Sequence, residues 1–158
     1  MDPAAKKKAL RLISYGLYVA TSRHGELYGS GTINWLSQSS FDPPLVMAGI
    51  QRDSSLHQAI SGSRAFAIHV VGKSQKNLAT AFFKTARVEG DLINGWRFAL
   101  GVTGSPILAD AVAYFECRVV DEVRGGDHTI FVGEVVEADV RREEEPLTIR
   151  ETGMAYGG

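Results

Sequence analysis

Polar side chains able to bind a ligand are concentrated between positions 29 and 60. Arg52, Ser54 and Ser55 directly follow the apolar run 45–50, at the point where a helix is predicted to begin. A helix start offers free N–H groups and the positive end of the helix dipole, and hydroxyl and guanidinium groups add further donors. The combination favours binding of a phosphate group. An ordinary N-cap beside a surface arginine has the same pattern, so this alternative stays open.

A second group of polar side chains lies upstream, before the proline pair at 43–44. It places amide and hydroxyl groups at about every second position, with Thr32, Asn34, Ser37, Gln38, Ser39 and Ser40. An extended segment of this kind can exchange hydrogen bonds with the edge of a flat heteroaromatic ring, while Trp35 or Phe41 covers apolar surface. A connecting loop whose serines bond their own backbone has the same composition. From the residues alone, both interpretations remain open.

Several other kinds of site lack a supporting pattern. The chain has no G-x-G-x-x-G after a strand, no GxxxxGK[ST] loop and no G-x-S-x-G. Its four histidines are scattered and form no H-E-x-x-H, so no metal site is predicted. Nothing selects a nucleophile among the many serines for Ser-His-Asp catalysis. The single cysteine, Cys117, allows no internal disulfide and lies in an apolar run, which predicts a buried thiol.

The composition indicates one globular domain over residues 1–158, of which 44% are hydrophobic. The formal net charge of −1 gives no global field that would attract nucleic acid or an anionic membrane surface. No apolar run reaches the roughly 20 residues of a membrane-spanning helix, and the N-terminal segment lacks the features of a signal peptide. We therefore expect a cytoplasmic protein without nucleic-acid or membrane partners.

Strand patterns dominate the segments that must position these side chains. The predicted strands are Tyr15–Ser22, Leu27–Asn34, Leu45–Ile50, Phe66–Val70, Ala111–Val123 and Thr129–Val140. The first two form a hairpin that turns at Gly25, and the last two form one that turns at 125–127. Segment 84–105 has poor periodicity and recurring glycine, which predicts a loop with at most one short strand near Trp96–Leu100.

Short helices are predicted between the strands. Ala4–Ser14 has an amphipathic pattern, and Ser54 is a candidate N-cap for a helix that stops at Gly62. A third helix is expected to begin near Ser74, while Arg141–Glu145 is expected to be a solvated charge run. About six strands with inserted helices, and no regular alternation of strand and helix, predict a mainly β fold with short helices, an antiparallel barrel.

The order of these segments resembles the flavin reductase-like family of FMN-binding split barrels, over about residues 10–140. The resemblance implies a single domain with its core at about 10–140 and a C-terminal tail at 141–158. The most specific matches are SSFDPPL at 39–45, SPILAD at 105–110, Glu116-Cys117, and Gly126-Asp127-His128 followed by FVGE at 131–134. The segment KKKALRLISYGLYVATS is similar to members fused to, or partnered with, rubredoxin and flavodiiron proteins. The resemblance implies a split β-barrel of antiparallel, Greek-key type. It also implies a homodimer that binds FMN non-covalently near the subunit interface.

The resemblance implies an activity and a set of site residues. Family members use NADH or NADPH to reduce flavin by hydride transfer to its N5. Here His128 would orient the nicotinamide, and Phe82 and Phe83 would lie near the cofactor, although we expect both to be core residues. The cofactor-binding positions carried over are Thr32, Asn34, Trp35, Ser37 and Gln38 for the ring and ribityl chain, and Arg52, Ser54 and Ser55 for the phosphate.

Two further hypotheses remain beside the NAD(P)H-dependent flavin reductase. One is an FMN electron-transfer protein that exchanges electrons with a rubredoxin-like or flavodiiron partner without direct use of NAD(P)H. The other is a structural or binding barrel without cofactor. In both flavin hypotheses the redox chemistry belongs to the cofactor, which explains why no acid-base pair stands out in the sequence.

Overall fold

The computed structural model describes residues 1–158, with eleven strands and four helices. The strands are β1 (Tyr18–His24), β2 (Leu27–Ile33), β3 (Leu36–Ser40), β4 (Leu45–Gln51), β5 (Ala65–Val70), β6 (Val88–Glu89), β7 (Leu92–Ile93), β8 (Trp96–Leu100), β9 (Pro106–Leu108), β10 (Ala113–Arg124) and β11 (His128–Val140). The helices are α1 (Pro3–Arg11), α2 (Ser55–Ser63), α3 (Lys76–Ala81) and α4 (Ile149–Thr152).

Seven strands form one antiparallel sheet in the order β2-β1-β5-β10-β11-β4-β3, and β6 to β9 form a second, small sheet. The two predicted hairpins are present, as β1 with β2 and β10 with β11. The register of β10 against β11 shifts at Glu116/Cys117 and again at Val119/Asp121. Such bulges bend and twist long strands, which lets a sheet curve around a core. The predicted mainly β, antiparallel fold class is confirmed.

Alternating side chains of the large sheet form the core beneath it. In β4, Val46, Ala48 and Ile50 are buried while Met47 is exposed, as expected for a strand with one inward face. They pack with Phe66 and Phe131 in one of two apolar clusters. Cys117 is fully buried, which confirms the prediction of a buried thiol. Burial, and to a smaller degree the Glu116 charge, raise the pKa of this thiol to about 12.

Two buried polar side chains join distant strands. His69 is fully buried, with Nδ1 donating to Val19 O at 3.0 Å and Nε2 accepting from the N–H of Leu108 at 3.1 Å. The carboxylate of Glu116, also buried, accepts from the N–H groups of Val102 and Thr103 at 3.0 and 2.8 Å, and from the Thr103 hydroxyl at 2.6 Å. The backbone groups involved are thereby satisfied without solvent.

The helices before and after β5 are both present, but Gly62 does not end the first of them. α2 continues through Gly62, and Arg64 takes the left-handed C-cap position at φ 57°. Gly62 serves packing instead, because a Cβ there would lie 2.6 Å from the ring of His24. α3 begins at Lys76, which confirms the predicted start near Ser74. Ser74 does not cap this helix, because both its N–H and its hydroxyl bond Glu144, at 2.9 and 2.6 Å.

The prediction of a loop with at most one strand at 84–105 is wrong. This segment contributes β6, β7 and β8 to the small sheet, which is completed by β9. β6 and β7 have two residues each, too few for an alternating pattern to be visible in the sequence. Ile93 and Leu108 are fully buried and join the sheet to the second apolar cluster.

The C-terminal tail docks on its own chain. Arg141 and Glu144 of the charge run bond Leu108 O and Ser74, so they are not simply solvated. Leu147 is buried, its N–H bonds Val71 O at 2.8 Å, and its carbonyl accepts from the N–H of Leu17 at 3.0 Å. These bonds place the tail beside the start of β1, where Tyr18 pairs with Ile33 at the end of β2. No helix of the chain is both long and apolar enough to cross a membrane.

Candidate functional site

A cleft of about 520 Å³, here called the first cleft, opens where β2 and β4 end and α2 begins. Cavities of a few hundred Å³ are the usual size of small-ligand sites. Five segments that are distant in sequence form its walls: 30–34, 49–51, 53–56, 82–85 and 154–156, together with Leu17, His128 and Ile149.

Two buried polar side chains of the first cleft have no hydrogen-bond partner. They are Ser30, 6% exposed, and Asn34, 4% exposed, and the atoms without a partner are Ser30 Oγ and Asn34 Nδ2. A buried polar atom left unpaired costs about 1–3 kcal/mol. A ligand that offers acceptors inside the cleft would remove this cost. Thr32, between them, lines the cleft but donates to Ala79 O at 2.5 Å.

The start of α2 forms the second polar part of the first cleft. Ser54 is the N-cap predicted from the sequence, with Oγ accepting from the N–H of His57 at 3.1 Å and donating to Gln51 O at 2.7 Å. The N–H groups of Ser55 and Leu56 lie in the first helical turn and have no partner within the helix. Gly29 allows this turn to pack on β2, because a Cβ there would lie 2.6 Å from Leu56 Cα. This helix start can bind an anion.

Four of the predicted binding residues are not part of the first cleft's walls. Arg52 is turned to the other hairpin, where Nη1 donates to Gly126 O at 3.2 Å and its N–H bonds Asp127 O at 3.0 Å. Ser37 and Gln38 lie exposed on the edge strand β3. Ser37 Oγ donates to Gln38 O and Gln38 Nε2 donates to Ser40 O, which agrees with the alternative interpretation of a polar segment that bonds its own backbone. Trp35, the fourth, packs behind the cleft against His128, at 4.5 Å between ring centroids.

His128 is held between two partners at the edge of the first cleft. Its Nδ1 lies 2.7 Å from Oδ1 of Asp127, and its Nε2 lies 2.9 Å from the phenol oxygen of Tyr156. With Nδ1–H donating to the carboxylate, Nε2 is the acceptor for the Tyr156 hydroxyl. The hydrogen bond from His128 lowers the pKa of Asp127, whereas burial and then the Asp127 charge raise the pKa of Tyr156.

The structure thus brings five predicted residues together in the first cleft and adds others that sequence reasoning missed. The five are Thr32, Asn34, Ser54, Ser55 and His128. Ser30 could have been found, because period-two geometry places Ser30 and Thr32 on one face of β2, and Asn34 follows directly after the strand. Met154 and Tyr156 also line the cleft, but they belong to no sequence motif that would have indicated them. Phe82 is buried, which confirms a core role, but Phe83 is 56% exposed and lines the cleft, so its predicted core role is wrong.

The seven-stranded antiparallel sheet, with the small sheet beside it and a cleft at the ends of β2 and β4, has the architecture of a split β-barrel. Residues 10–158 match the family model of the flavin reductase like domain, and the chain belongs to this family. The split-barrel fold and the family resemblance expected from the sequence are both confirmed.

Individual relatives agree with this assignment. FMN reductase (NADH) SmoA from Agrobacterium fabrum is 36% identical over 151 residues, which are 96% of this chain and 83% of that protein. High molecular weight rubredoxin from Moorella thermoacetica is 34% identical over 144 residues, 89% of this chain and 62% of that protein, so the chain spans less than two thirds of this relative. The solved structure of NADH:FAD oxidoreductase SgcE6 from Streptomyces globisporus, in complex with NAD and FAD fragments, matches with a TM-score of 0.73 and 30% identity over 86% of this chain and 81% of that one.

Proposed function

We propose that this protein is an NAD(P)H-dependent flavin reductase that holds FMN non-covalently in the first cleft. One observation carries the proposal: the unpaired buried atoms Ser30 Oγ and Asn34 Nδ2 line the same cleft as the free N–H groups at the start of α2. Carbonyl and ring-nitrogen acceptors of a flavin would satisfy the first pair, and a phosphate would bind the helix start. These two donor sets match the two polar parts of FMN.

The chain's own residues bind and orient in this proposal. A bound flavin supplies the two-electron chemistry itself, so no protein base is needed. Ser30 and Asn34 donate to the ring, and Ser55 with the first turn of α2 holds the phosphate. His128, fixed by Asp127 and Tyr156, forms the edge of the cleft where a nicotinamide would be oriented. The names of the relatives SmoA and SgcE6 support use of NADH.

Flavin binding is tested by titrating the flavin-free protein with FMN and following the loss of flavin fluorescence. The wild-type protein quenches FMN, and Asn34→Leu, which keeps a similar volume but removes the amide donor, weakens binding by about tenfold, the value of a buried hydrogen bond to a ligand. Gln38→Leu is the matched control, because Gln38 carries the same amide on the exposed strand β3. Equal FMN affinity of Asn34→Leu and wild type would overturn the assignment of the cleft.

The electron-transfer alternative is favoured by one observation, the similarity to high molecular weight rubredoxin. In this case a redox protein of the rubredoxin or flavodiiron kind, and not NAD(P)H, would exchange electrons with the bound flavin. Both hypotheses place FMN in the first cleft. They differ in whether a nicotinamide alone reduces it.

We also propose that the protein is a homodimer. The β10–β11 hairpin exposes apolar residues along its length: the cross-strand partners Val123 and Ile130, and further Val120, Val136 and Val140. Several exposed apolar side chains on one hairpin support a protein interface there, and a second copy is the partner that the family resemblance implies. Sedimentation should show a dimer that Ile130→Asp converts to a monomer, whereas Leu27→Asp, on the other hairpin, leaves it intact. A monomeric wild type would contradict this.

The cytoplasmic location stays a prediction.

A further inference from the structure

A second cleft, of about 670 Å³, adjoins the first. Lys84 and Thr85 line both clefts, so the two clefts meet at these residues. The second cleft lies between α3 and the small sheet of β6 to β8, and Asn77, Thr80, Arg87 and Asn94 contribute its polar walls. A ligand seated in the first cleft can therefore extend past Lys84 into the second.

The side chains of the second cleft favour an anion. Its lining contains two cationic side chains, Lys84 and Arg87, and one carboxylate, Glu89. Lys84 makes no ion pair. Arg87 pairs with Glu89 at 2.6 Å, but the two side chains are 82% and 65% exposed, so the pair is worth little and Arg87 can turn to a ligand. Arginine binds phosphate with two parallel hydrogen bonds.

The backbone that carries the two cations is fixed in place. Asn94 adopts a left-handed conformation at φ 49°, and its Oδ1 accepts from the N–H of Arg87 at 2.8 Å. Its Nδ2 donates to Ala81 O at 3.1 Å and to Lys84 O at 3.3 Å. One side chain thus joins the end of α3 to both cationic positions. The backbone of the site therefore loses little conformational freedom on binding, and only the cationic side chains have to be ordered by the ligand.

Polar chemistry dominates the second cleft, since only two of its ten lining residues are hydrophobic. These are Ala81 and Leu92, which offer a small apolar surface beside the cations. A diphosphate needs cations and N–H or O–H donors, and an adenosine adds a flat ring with polar edges. The cleft contains groups for both parts, whereas FMN alone, which ends in one phosphate at the start of α2, leaves them unused.

Resting on the flavin reductase function above, we propose that the second cleft binds the adenosine diphosphate part of a dinucleotide whose redox-active part lies in the first cleft. Arg87 and Lys84 hold the diphosphate, and Thr85 and Asn77 supply further polar contacts. FAD and the nicotinamide dinucleotides both carry this group, so ADP itself is the probe of the site.

Calorimetric titration of the FMN-loaded protein with ADP tests the site. ADP binds to the wild type, and Arg87→Ala weakens it by about tenfold, as for loss of one charge-assisted hydrogen bond. FMN affinity is unchanged in Arg87→Ala, because Arg87 does not line the first cleft. Arg97→Ala is the matched control: Arg97 is an exposed arginine of the same small sheet, 3.8 Å from Asp91, and lies outside both clefts.

Two further titrations distinguish the sources of the ADP group. If FAD is the ligand, the flavin-free wild type binds FAD more tightly than FMN and Arg87→Ala abolishes the difference. If a nicotinamide dinucleotide is the ligand, FAD and FMN bind alike, and Arg87→Ala weakens NAD⁺ or NADP⁺ binding to the FMN-loaded protein. Absence of ADP binding, or equal ADP affinity in wild type and Arg87→Ala, overturns the proposal. If the protein binds ADP but never binds flavin, the proposed function is refuted, whereas the assignment of the second cleft as an ADP site is retained.

Discussion

The phenol oxygen of Tyr156 lies 2.9 Å from Nε2 of His128, so the C-terminal tail reaches the one predicted catalytic residue. His128 is thereby held from two sides, by Tyr156 and by Asp127, and its ring packs on Trp35. Since burial raises the pKa of Tyr156, the phenol keeps its proton at neutral pH and remains a donor. The tail is therefore part of the site and fixes the orientation of His128.

Tyr156→Phe should slow flavin reduction by the nicotinamide without weakening FMN binding. The ring remains to pack on Trp35, 5.4 Å away, and only the hydrogen bond to His128 is lost. We expect a several-fold lower reduction rate, in line with about 1 kcal/mol for one hydrogen bond. Rapid-mixing kinetics and an FMN titration measure the two quantities. A variant with the wild-type rate, or one that has lost FMN, would show that Tyr156 does not act through His128.

Removing an unpaired donor from the first cleft should affect stability and binding in opposite directions. Ser30→Ala deletes a buried hydroxyl without partner, so the free energy of unfolding of the flavin-free protein should stay the same or rise, by up to about 1 kcal/mol, while FMN affinity falls. Thr32→Val is the control, since Thr32 Oγ1 donates to Ala79 O and its loss should destabilise the flavin-free protein. Urea unfolding with and without FMN gives both numbers. A destabilised flavin-free Ser30→Ala would mean that the hydroxyl has a partner inside the chain.

Acid should destabilise the fold through His69. Burial lowers the pKa of His69 from 6.5 to about 4, so between these values the unfolded chain binds a proton that the folded chain does not. The free energy of unfolding should therefore fall as the pH falls from 6.5 to 4, with a contribution from His69 of about 3 kcal/mol. An NMR titration of the ring follows the folded state directly. Protonation of His69 in the folded protein near pH 6 would contradict this explanation.

Glu116→Ala should destabilise the protein strongly, although it lies outside both clefts. The buried carboxylate accepts three hydrogen bonds from Val102 and Thr103, and the variant leaves these donors unpaired in a cavity. We expect a loss of about 2–4 kcal/mol in the free energy of unfolding. Glu143→Ala, at an exposed position of the charge run, is the control. Equal urea midpoints for the two variants would show that Glu116 does not hold the turn at 101–105.

Local patterns predicted six of the seven strands that form the large sheet, all except β3, because their apolar patterns and their glycine turns are visible within a few residues. They also predicted the N-cap Ser54 and three more polar positions of the first cleft: Thr32 in β2, Asn34 directly after it, and Ser55 in α2. What they could not predict depends on contacts between distant segments. Ser74 bonds Glu144, and Arg52 bonds Gly126 O. Tyr156 reaches His128 only because Leu147 docks the tail beside Val71. β6 and β7 are too short to show any periodicity.

Anaerobic mixing of the FMN-loaded protein with NADH, and separately with NADPH, tests the central claim most directly. A nicotinamide-dependent flavin reductase loses the visible absorption band of its flavin with at least one of the two donors, without any other protein present. The band should then return on admission of air. A flavin that stays oxidised with both donors, but is reduced when a reduced rubredoxin-like protein is added, would contradict the reductase function and establish the electron-transfer alternative.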